Sequence, residues 1–580
     1  MKKLITLIII TVSLSITNLS AQAPAWAWAN SAGGLLDESG KSVVTDYIGN
    51  VYVTGFFRSR TIHFGTYTLT NYDTTGATDD VFIVKYDSSG GVLWAKSIKG
   101  NGNDDGLSVS TDFMGNVYIG GSFTSTNLYA GFITLTNANS DSLSPNYDAF
   151  IAMYNASGNI QWAKRFGGAG DEMISGVSTD LGGNTYITGS YSSDTVDFDT
   201  SKVVSDGSLN AFLAKLNLFS DVSWARSAGG IKEDKATGIA TDSIGNIAIT
   251  GYFFSNTMAF DTILLTKKDT TGSDTTGYTN DIFIAKYNSN GIVLWAKDAG
   301  GTNVYYDAVS SNGIAMDKKG NAYITGYFRY DSIFFDSIVI YLSSFSRDVF
   351  IAKYNQHGKA MWARQAGGFL DDEGRGVAVD IHGSVFVTGD YSGGSITFDT
   401  TTINAMSADP DIFVVKLDSL GHVFWAKSAG GSIGDFANSV AVFDLDRVYV
   451  TGQYVSPSIS FDGFTVINQS TAGSGADLFV ARLYPSTVGI PNITSVDNNL
   501  MVYPNPAVQY ATISYSLKSA TNVSLEIYNG LGAKVLDVIS SQKQSEGEYN
   551  YLFSAPQSGI YFVKLQTQEG VLVKRIVYSR

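Results

Sequence analysis

Trp425-Ala-Lys-Ser-Ala-Gly-Gly431 is the stretch that decides the fold, because near-copies of it recur along most of the chain. Consecutive Trp-Ala pairs lie 62 to 71 residues apart. A period of this length indicates a repeat architecture in which neighbouring copies bury a continuous core. The seven pairs begin at Trp28, Trp94, Trp162, Trp224, Trp295, Trp362 and Trp425.

Two further elements recur with each Trp. An Asp-x-x-Gly-Asn turn leads into a strand that ends in Thr-Gly, as in Asp46–Gly55, and an Asp-x-Phe-Ile-x-Lys-Tyr segment follows, as in Asp80–Tyr86. A glycine in each turn suits the left-handed backbone of a hairpin. Each repeat is therefore predicted to form four strands. Their apolar residues run almost without interruption, so both faces of each small sheet must be covered, as they are when sheets stack around an axis.

The phase of the repeat predicts a closed ring. The chain begins with a Trp strand at Trp26–Asn30, and the repeats end with the strand Asp477–Leu483. These are the two halves of one hairpin, separated by the whole domain. An open array would need atypical caps at both ends, and none is visible. The predicted fold class is all-β, a seven-bladed β-propeller closed by its N-terminal strand and followed by a small Ig-like β-sandwich.

The motifs from Trp26 to Tyr484 resemble the SBBP-type β-propeller repeats of secreted bacterial proteins. The resemblance implies a scaffold, and it implies architecture more firmly than activity. We expect the propeller to occupy residues 22–484, a linker rich in Pro, Gly, Ser, Thr and Asn residues 485–499, and the C-terminal β-domain residues 500–580.

The first 21 residues read as a secretory signal peptide. Lys2 and Lys3 precede the apolar stretch Leu4–Ile16, and small residues allow cleavage between Ala21 and Gln22. No later segment reaches about 18 consecutive apolar residues, so no transmembrane segment is expected in the mature chain.

The C-terminal motifs resemble the type A sorting domain of the type IX secretion system of Bacteroidetes. The resemblance implies contact with that secretion machinery, passage through the outer membrane, removal of this domain, and either release or attachment at the cell surface. A generic Ig-like accessory domain is the alternative. The residues that carry the match are Pro504, Asn505, Pro506, Gly559, Tyr561, Lys564, Gly570 and Lys574.

Composition excludes several functions. The chain has no Cys, which removes thiol catalysis and cysteine metal sites. Its formal net charge is −15, and the two signal lysines and a C-terminal segment of net +1 leave −18 on the body between them. A body this acidic repels phosphate backbones, so no nucleic-acid partner is expected. We predict no catalytic, metal or cofactor-binding residues and no cofactor, and we expect a monomer.

The connections between repeats carry a candidate site. Acidic residues follow most Gly-Gly pairs and predict a ring of carboxylates on the face that carries the long, variable loops. Such a ring could attract cations or a basic partner. Alternatively, each Asp caps local backbone amides. The six residues are Asp37, Asp104, Asp171, Asp234, Asp371 and Asp435.

Other recurring residues are interpreted as structural. The Trp residues are assigned to the core between sheets, because they recur at one strand position. The cations at the Lys85 position are assigned to paired structural charges. His357, His382 and His422 fall in short turns on the opposite face and are assigned surface roles.

These features predict an extracellular or surface-anchored, non-catalytic propeller that binds a glycan or protein, and that mediates adhesion, through its long-loop face. Two alternatives stay open. One is a polysaccharide-acting enzyme, a hydrolase or lyase, that uses carboxylates on that face. The other is a structural spacer without a ligand.

Overall fold

The computed structural model describes residues 23–578 except 141–144, 181, 200, 206–207, 269–278, 302–308, 330, 345, 445–446, 471–474, 485–499, 518, 530–533 and 568–569. The predicted signal peptide with Ala21 and Gln22, and the predicted linker, lie outside these residues. The chain divides into two compact units, Met1–Ser486 and Thr487–Arg580. No helix in the described ranges is long and apolar enough to cross a membrane.

The first unit repeats a pattern of six strands. The amino-terminal strand is β1 (Trp26–Ala32). Repeat 1 comprises β2 (Glu38–Thr45), β3 (Val51–Phe57), β4 (Thr61–Phe64), β5 (Tyr67–Thr70), β6 (Asp80–Tyr86) and β7 (Val92–Gly100). Repeat 2 comprises β8 (Asp104–Thr111), β9 (Val117–Phe123), β10 (Asn127–Ala130), β11 (Ile133–Thr136), β12 (Asp148–Tyr154) and β13 (Ile160–Phe166). Repeat 3 comprises β14 (Glu172–Thr179), β15 (Thr185–Tyr191), β16 (Thr195–Phe198), β17 (Ser201–Val204), β18 (Asn210–Leu216) and β19 (Val222–Ala228).

The later repeats follow the same order. Repeat 4 comprises β20 (Asp234–Thr241), β21 (Ile247–Phe253), β22 (Thr257–Phe260), β23 (Ile263–Thr266), β24 (Asp281–Tyr287) and β25 (Val293–Gly300). Repeat 5 comprises β26 (Val309–Met316), β27 (Ala322–Phe328), β28 (Ser332–Phe335), β29 (Ile338–Tyr341), β30 (Asp348–Tyr354) and β31 (Ala360–Gly368). Repeat 6 comprises β32 (Asp372–Val379), β33 (Val385–Tyr391), β34 (Ser395–Phe398), β35 (Thr401–Asn404), β36 (Asp411–Leu417) and β37 (Val423–Ala429). Repeat 7 comprises β38 (Asp435–Phe443), β39 (Arg447–Tyr454), β40 (Ser458–Phe461), β41 (Phe464–Ile467) and β42 (Asp477–Leu483).

Four strands of each repeat form an antiparallel sheet, in the order β2-β3-β6-β7 for repeat 1. We call these strands a, b, c and d. The described residues contain seven such sheets. In repeat 7, β1 takes the place of strand d and lies antiparallel to β42, with Trp28 opposite Arg482 and Ser31 opposite Phe479.

The remaining two strands of each repeat form a short hairpin that the sequence did not predict. The hairpin lies in the long connection between strands b and c, as β4-β5 does in repeat 1. Some hairpins pair with strand d of the preceding sheet, as β10 does with β7. The hairpin turn needs a left-handed residue, which is Gly65 in repeat 1 and Asp261 in repeat 4.

The core lies between neighbouring sheets. All four residues of Val81–Val84 are buried, so both faces of strand c are covered, as the unbroken apolar run predicts. One apolar cluster joins Tyr52 and Val81 of repeat 1 to Val117 of repeat 2. Most of the recurring Trp residues are buried, and Trp28 and Trp162 are half-buried. The assignment of the Trp residues to the core is confirmed.

The second unit contains seven strands in its described residues. Two sheets, β43-β44-β47 and β46-β45-β48-β49, contribute to one apolar core that includes Ile513, Leu525 and Val563. The strands are β43 (Leu500–Tyr503), β44 (Ala511–Leu517), β45 (Thr521–Asn529), β46 (Lys534–Gln544), β47 (Gly547–Phe553), β48 (Gly559–Thr567) and β49 (Gly570–Tyr578).

Candidate functional site

The predicted carboxylates lie at one edge of the sheets. In repeat 1, Glu38 at the start of β2 is opposite Phe57 at the end of β3, and Phe57 is opposite Asp80 at the start of β6. We call this the loop edge, because the connections between repeats and the long b-to-c connections meet there. The other end, where strand a turns into strand b, is the turn edge.

The six predicted residues do not occupy equivalent positions. Asp104, Asp234 and Asp435 are the first residues of strands a and are buried. Their counterparts in repeats 1, 3 and 6 are Glu38, Glu172 and Asp372, which are also buried, whereas strand a of repeat 5 begins with Val309. Asp37, Asp171 and Asp371 stand one residue earlier, before the strand begins. The sequence repeat therefore contains two neighbouring acidic positions. The six predicted residues are divided between these two positions and do not form one ring of equivalent residues.

The buried acids bind backbone amides of their own connections. Asp234 Oδ2 accepts hydrogen bonds from Gly230 N at 2.7 Å and from Ser255 Oγ at 2.8 Å. Glu38 accepts from Gly34 N at 2.9 Å and from Ser59 N at 3.0 Å. Burial is the main cause that raises the pKa of Glu38 to about 8 and that of Asp234 to about 6.

The acids that stand one residue before strand a link neighbouring repeats. Asp171 Oδ1 accepts from Tyr147 N at 3.0 Å, and Asp371 Oδ1 accepts from Arg347 N at 2.9 Å. Asp37 Oδ1 accepts from Ala476 N at 3.1 Å, which joins the first connection to repeat 7. These bonds correspond to the alternative interpretation, in which the acids cap backbone amides. In the described part of the chain, no group of three or more acidic or His residues could hold a metal ion.

A third buried acid explains the first glycine of the Gly-Gly pairs. Strand c begins with Asp in most repeats, as at Asp411 and Asp477. A Cβ on Gly430 would lie 2.0 Å from Oδ1 of Asp411, and a Cβ on Gly33 would lie 2.0 Å from Cγ of Asp477. The carboxylate occupies the space of a side chain, so only glycine fits there.

Every strand a contains a β-bulge at the same place. In repeat 1 the register shifts between Gly40 and Ser42, which makes Lys41 the extra residue. Bulges re-aim a side chain and are frequent beside functional sites. The bulged residue varies among the repeats, and only repeats 5 and 7 share the same type, Asn. The seven residues are Lys41, Leu107, Ser175, Thr237, Asn312, Arg375 and Asn438.

The two cationic bulge residues each lie over an aromatic ring. Lys41 Nζ is 5.1 Å from the ring centre of Phe56, and the Arg375 guanidinium is 5.7 Å from that of Phe436. Cations over ring faces are attracted by the ring quadrupole. Burial is the main cause that lowers the pKa of Lys41, and Arg375 is among the charges that act on it.

Acids of repeat 6 surround Arg375. Its Nη2 lies 3.0 Å from Glu373 Oε2, and its Nε donates to Asp390. Arg347 Nη1 also donates to Glu373, at 2.5 Å, and lies over the ring of Tyr327. Sequence reasoning missed this group because bulge positions become visible only once strand register is known. We call the following residues the bulge cluster: Lys41, Phe56, Tyr327, Arg347, Glu373, Arg375, Asp390 and Phe436.

The turn edge holds the recurring cations. Lys85 Nζ and Trp94 Nε1 both donate to the carbonyl oxygen of Ala156 in the next repeat, at 3.1 and 3.2 Å. Lys85 Nζ is also 3.8 Å from Asp46 Oδ2. The interpretation as paired structural charges is confirmed for this residue. The same double contact joins Lys215 and Trp224 to Ser289, Lys353 and Trp362 to Ser419, and Arg482 and Trp28 to Ser88.

The histidines lie away from the bulge cluster. His357, His382 and His422 are in turns at the turn edge, where their backbone amides donate to the turn's own Asn or Asp side chain. His63 lies in β4 and contacts Thr68 Oγ1 through Nδ1 at 3.0 Å.

The predicted sorting residues are placed on and around β48 and β49. Asn505 Nδ2 donates to Arg575 O, and Asn505 Oδ1 accepts from Val577 N, both at 2.8 Å. The Asn505 side chain thus makes hydrogen bonds to β49 of the kind that a neighbouring strand would make. Pro504 and Pro506 flank it, each after a cis peptide bond. Gly559, Tyr561 and Lys564 lie in β48, where Tyr561 is buried, and Gly570 and Lys574 lie in β49.

Comparison with known families agrees with both units. Residues 501–579 match the secretion system C-terminal sorting domain, and residues 362–390 match the β-propeller repeat. The chain carries β-propeller repeats and a type IX sorting tail. Its export to the extracellular space or the outer cell surface follows from that tail.

Two curated proteins share sequence with this exported propeller. It is 27% identical over 513 residues to the uncharacterized WD repeat-containing protein L264 of Acanthamoeba polyphaga mimivirus, which covers 75% of this chain and 36% of that protein. It is 31% identical over 115 residues to the regulatory protein FlaEY of Caulobacter vibrioides, which covers 20% of this chain and 12% of that protein. The chain thus spans well under half the length of either relative.

Solved structures also align with the propeller chain. Sqt1 from Chaetomium thermophilum aligns over 81% of this chain and 96% of its own, with 11% identity and a TM-score of 0.29. Peptide-bound YCF48 aligns over 81% and 99%, with 7% identity and a TM-score of 0.31.

Proposed function

We propose that the seven sheets form a closed seven-bladed propeller. The junction between the last and first repeats uses the same bonds as the internal junctions. Val43 N donates to Ser439 Oγ at 3.2 Å, just as Val109 N donates to Ser42 Oγ at 3.2 Å. Arg482 Nη1 donates to Ser88 O at 2.6 Å, matching the internal Lys contacts at the turn edge. Closure places the seven bulged residues around one axis.

We further propose that the exported propeller binds an extracellular glycan or protein without catalysis, through the bulge cluster at its loop edge, and so serves in binding or adhesion. The carrying observation is that every strand a has a bulge at the same place, and the side chain at that place varies among the repeats. Cations, acids and aromatic rings gather at two of these positions. Such a mixture of polar groups and ring faces is typical of ligand recognition.

The chemistry of the cluster favours binding over hydrolysis. Glycoside hydrolysis needs one carboxylic acid and one free carboxylate on opposite sides of a substrate bond. Glu373 is shared by two guanidiniums, and Asp390 is held by Arg375. The neighbouring acids Asp371 and Asp372 bind backbone amides. Glu373 and Asp390 therefore orient the arginines, and none of these four carboxyl groups is left as the free acid or base that hydrolysis needs.

A glycan array probed with the purified chain tests the binding function, with hydrolysis products measured in parallel. We expect retention of a defined glycan class without products. Lys41→Met and Phe436→Ala should each weaken that binding about fivefold, as expected when one cation or ring contact of about 1 kcal/mol is lost. Ser175→Ala, at the equivalent bulge of repeat 3, is the control and should bind normally. Product release, or unchanged binding by both variants, would contradict the proposal.

We also infer that the C-terminal unit contacts the secretion machinery and is removed during export. The support is its match to the sorting domain family and its separate core. A chain truncated after residue 484 should accumulate inside the cell, which fractionation and immunoblotting measure. Export of the truncated chain would contradict the inference.

A further inference from the structure

A pocket of about 540 Å³ opens at the turn edge between repeats 4 and 5, away from the bulge cluster. Three of its lining side chains are lysines: Lys286, Lys318 and Lys319. This concentration of positive charge is unexpected in a chain whose formal net charge is −15. The pocket volume falls in the range of small-ligand sites, roughly 300–1,000 Å³.

The ammonium group of Lys286 is held by structural contacts. Its Nζ donates to Gly320 O at 2.7 Å and lies 3.6 Å from Asp242 Oδ2, and both side chains are buried. This is the same structural contact that Lys85 makes with Asp46. The Lys286 charge and the Asp242 charge therefore largely compensate each other at the pocket floor.

The side chains of Lys318 and Lys319 are not held by such contacts. Both side chains are exposed, and neither has an ion-pair partner among the residues that the structure describes. The nearest acid in sequence, Asp317, is occupied by its own turn. Its Oδ1 accepts from Lys319 N at 2.9 Å, and its Oδ2 accepts from Asn321 Nδ2 at 2.7 Å and from Tyr323 OH at 3.0 Å. Two lysines without an ion-pair partner in the described part of the chain thus line one pocket.

The lysine pair is also unusual for its position in the repeat. The equivalent turn residues are Tyr47 and Ile48 in repeat 1, and Phe113 and Met114 in repeat 2, all exposed. The turn itself is the same in each case, since Ile48 N donates to Asp46 Oδ1 at 3.1 Å as Lys319 N does to Asp317. Lysines at this place are not needed to form the turn.

We propose that this pocket binds a short anionic oligosaccharide, carboxylated or sulfated. The two ammonium groups supply point charges for acidic groups, and Lys suits this role without fixed bidentate geometry. Ile244, which is 78% exposed, lines the same pocket and offers an apolar surface for a sugar ring. The Gln356 amide, also in the lining, can serve a hydroxyl group. The site is independent of the proposed loop-edge function.

Isothermal titration of the purified chain at low ionic strength tests the proposal. The probes are tetragalacturonate, a sulfated chondroitin tetrasaccharide, neutral maltotetraose and sodium sulfate. We expect at least one anionic sugar to bind, with affinity that falls as salt rises. Maltotetraose and sulfate should bind at least tenfold more weakly. Equal binding of the neutral sugar, equal binding of inorganic sulfate, or no binding of either anionic sugar would overturn the proposal.

A transplanted turn locates the site. The variant K318Y/K319I carries the turn of repeat 1, which folds in the same geometry, and should bind the anionic sugar about tenfold more weakly because two exposed charge contacts are lost. Adding Y47K/I48K to that variant restores the net charge at another repeat and should leave binding weak. Unchanged binding by K318Y/K319I, or recovery on adding Y47K/I48K, would contradict a specific pocket.

Discussion

At the scale of single residues, the repeat motif reflects close contacts at the ends of the strands. The Gly-Gly pairs could be read in the sequence, but their cause could not. Gly430 is required because Asp411, nineteen residues earlier, occupies the place of its side chain. The sequence also shows acidic residues in the connections, but it does not show how these acids align between repeats. Connections of different sequence place Asp37 before strand a and Asp104 at its first position.

Gly430→Ala tests this close approach. The added Cβ would lie 2.0 Å from Oδ1 of Asp411, so the free energy of unfolding should fall by about 1–3 kcal/mol, the usual cost of overpacking. Gly463→Ala is the matched control, since nothing lies within 4 Å of its Cβ position. Denaturant unfolding measures both variants. Equal stability of the two would refute the steric explanation.

At the scale of elements, apolar runs and turn residues predicted the four-stranded sheets but not the added hairpins. Strands such as β4 and β5 have four residues each and lie inside connections that vary among repeats. The bulge in each strand a was equally hidden, since a bulge is defined by the partner strand. The sequence therefore predicted the scaffold better than the candidate site.

Asn505→Ala tests the bracing of β49 in the C-terminal unit. The change removes two hydrogen bonds of 2.8 Å between the Asn505 side chain and the backbone of that strand, and we expect a loss of about 1–3 kcal/mol in the stability of this unit. Asn522→Ala, at an exposed position in β45, should change little. Hydrogen exchange of β49 amides measures the effect. Unaltered protection in Asn505→Ala would argue against the brace.

At the scale of the whole molecule, many carboxyl groups are buried at the loop edge. Burial raises the pKa of Glu38 and of Asp372 to about 8, from ordinary values near 4. The folded chain then binds protons more tightly than the unfolded chain between about pH 4 and pH 8. Their contribution to stability is fully present below about pH 4 and is lost as pH rises toward 8.

The chain should therefore melt at a higher temperature at pH 5 than at pH 8. Lower net charge near the isoelectric point of about 4.7 acts in the same direction. Scanning calorimetry across this range measures the trend. The double variant Glu38→Gln and Asp372→Asn, which mimics the protonated side chains, should show a flatter dependence. A melting temperature that rises with pH would oppose this explanation.

Closure of the ring by β1 is tested most directly by a disulfide bond. Ala29 in β1 lies opposite Ala481 in β42, and the chain has no native Cys. The variant A29C/A481C should form an intramolecular bridge in high yield, detected by loss of free thiols and a mobility shift. A29C/A214C, which pairs Ala29 with the equivalent strand of repeat 3, should stay reduced. Failure of A29C/A481C to bridge, or bridging of A29C/A214C, would contradict closure.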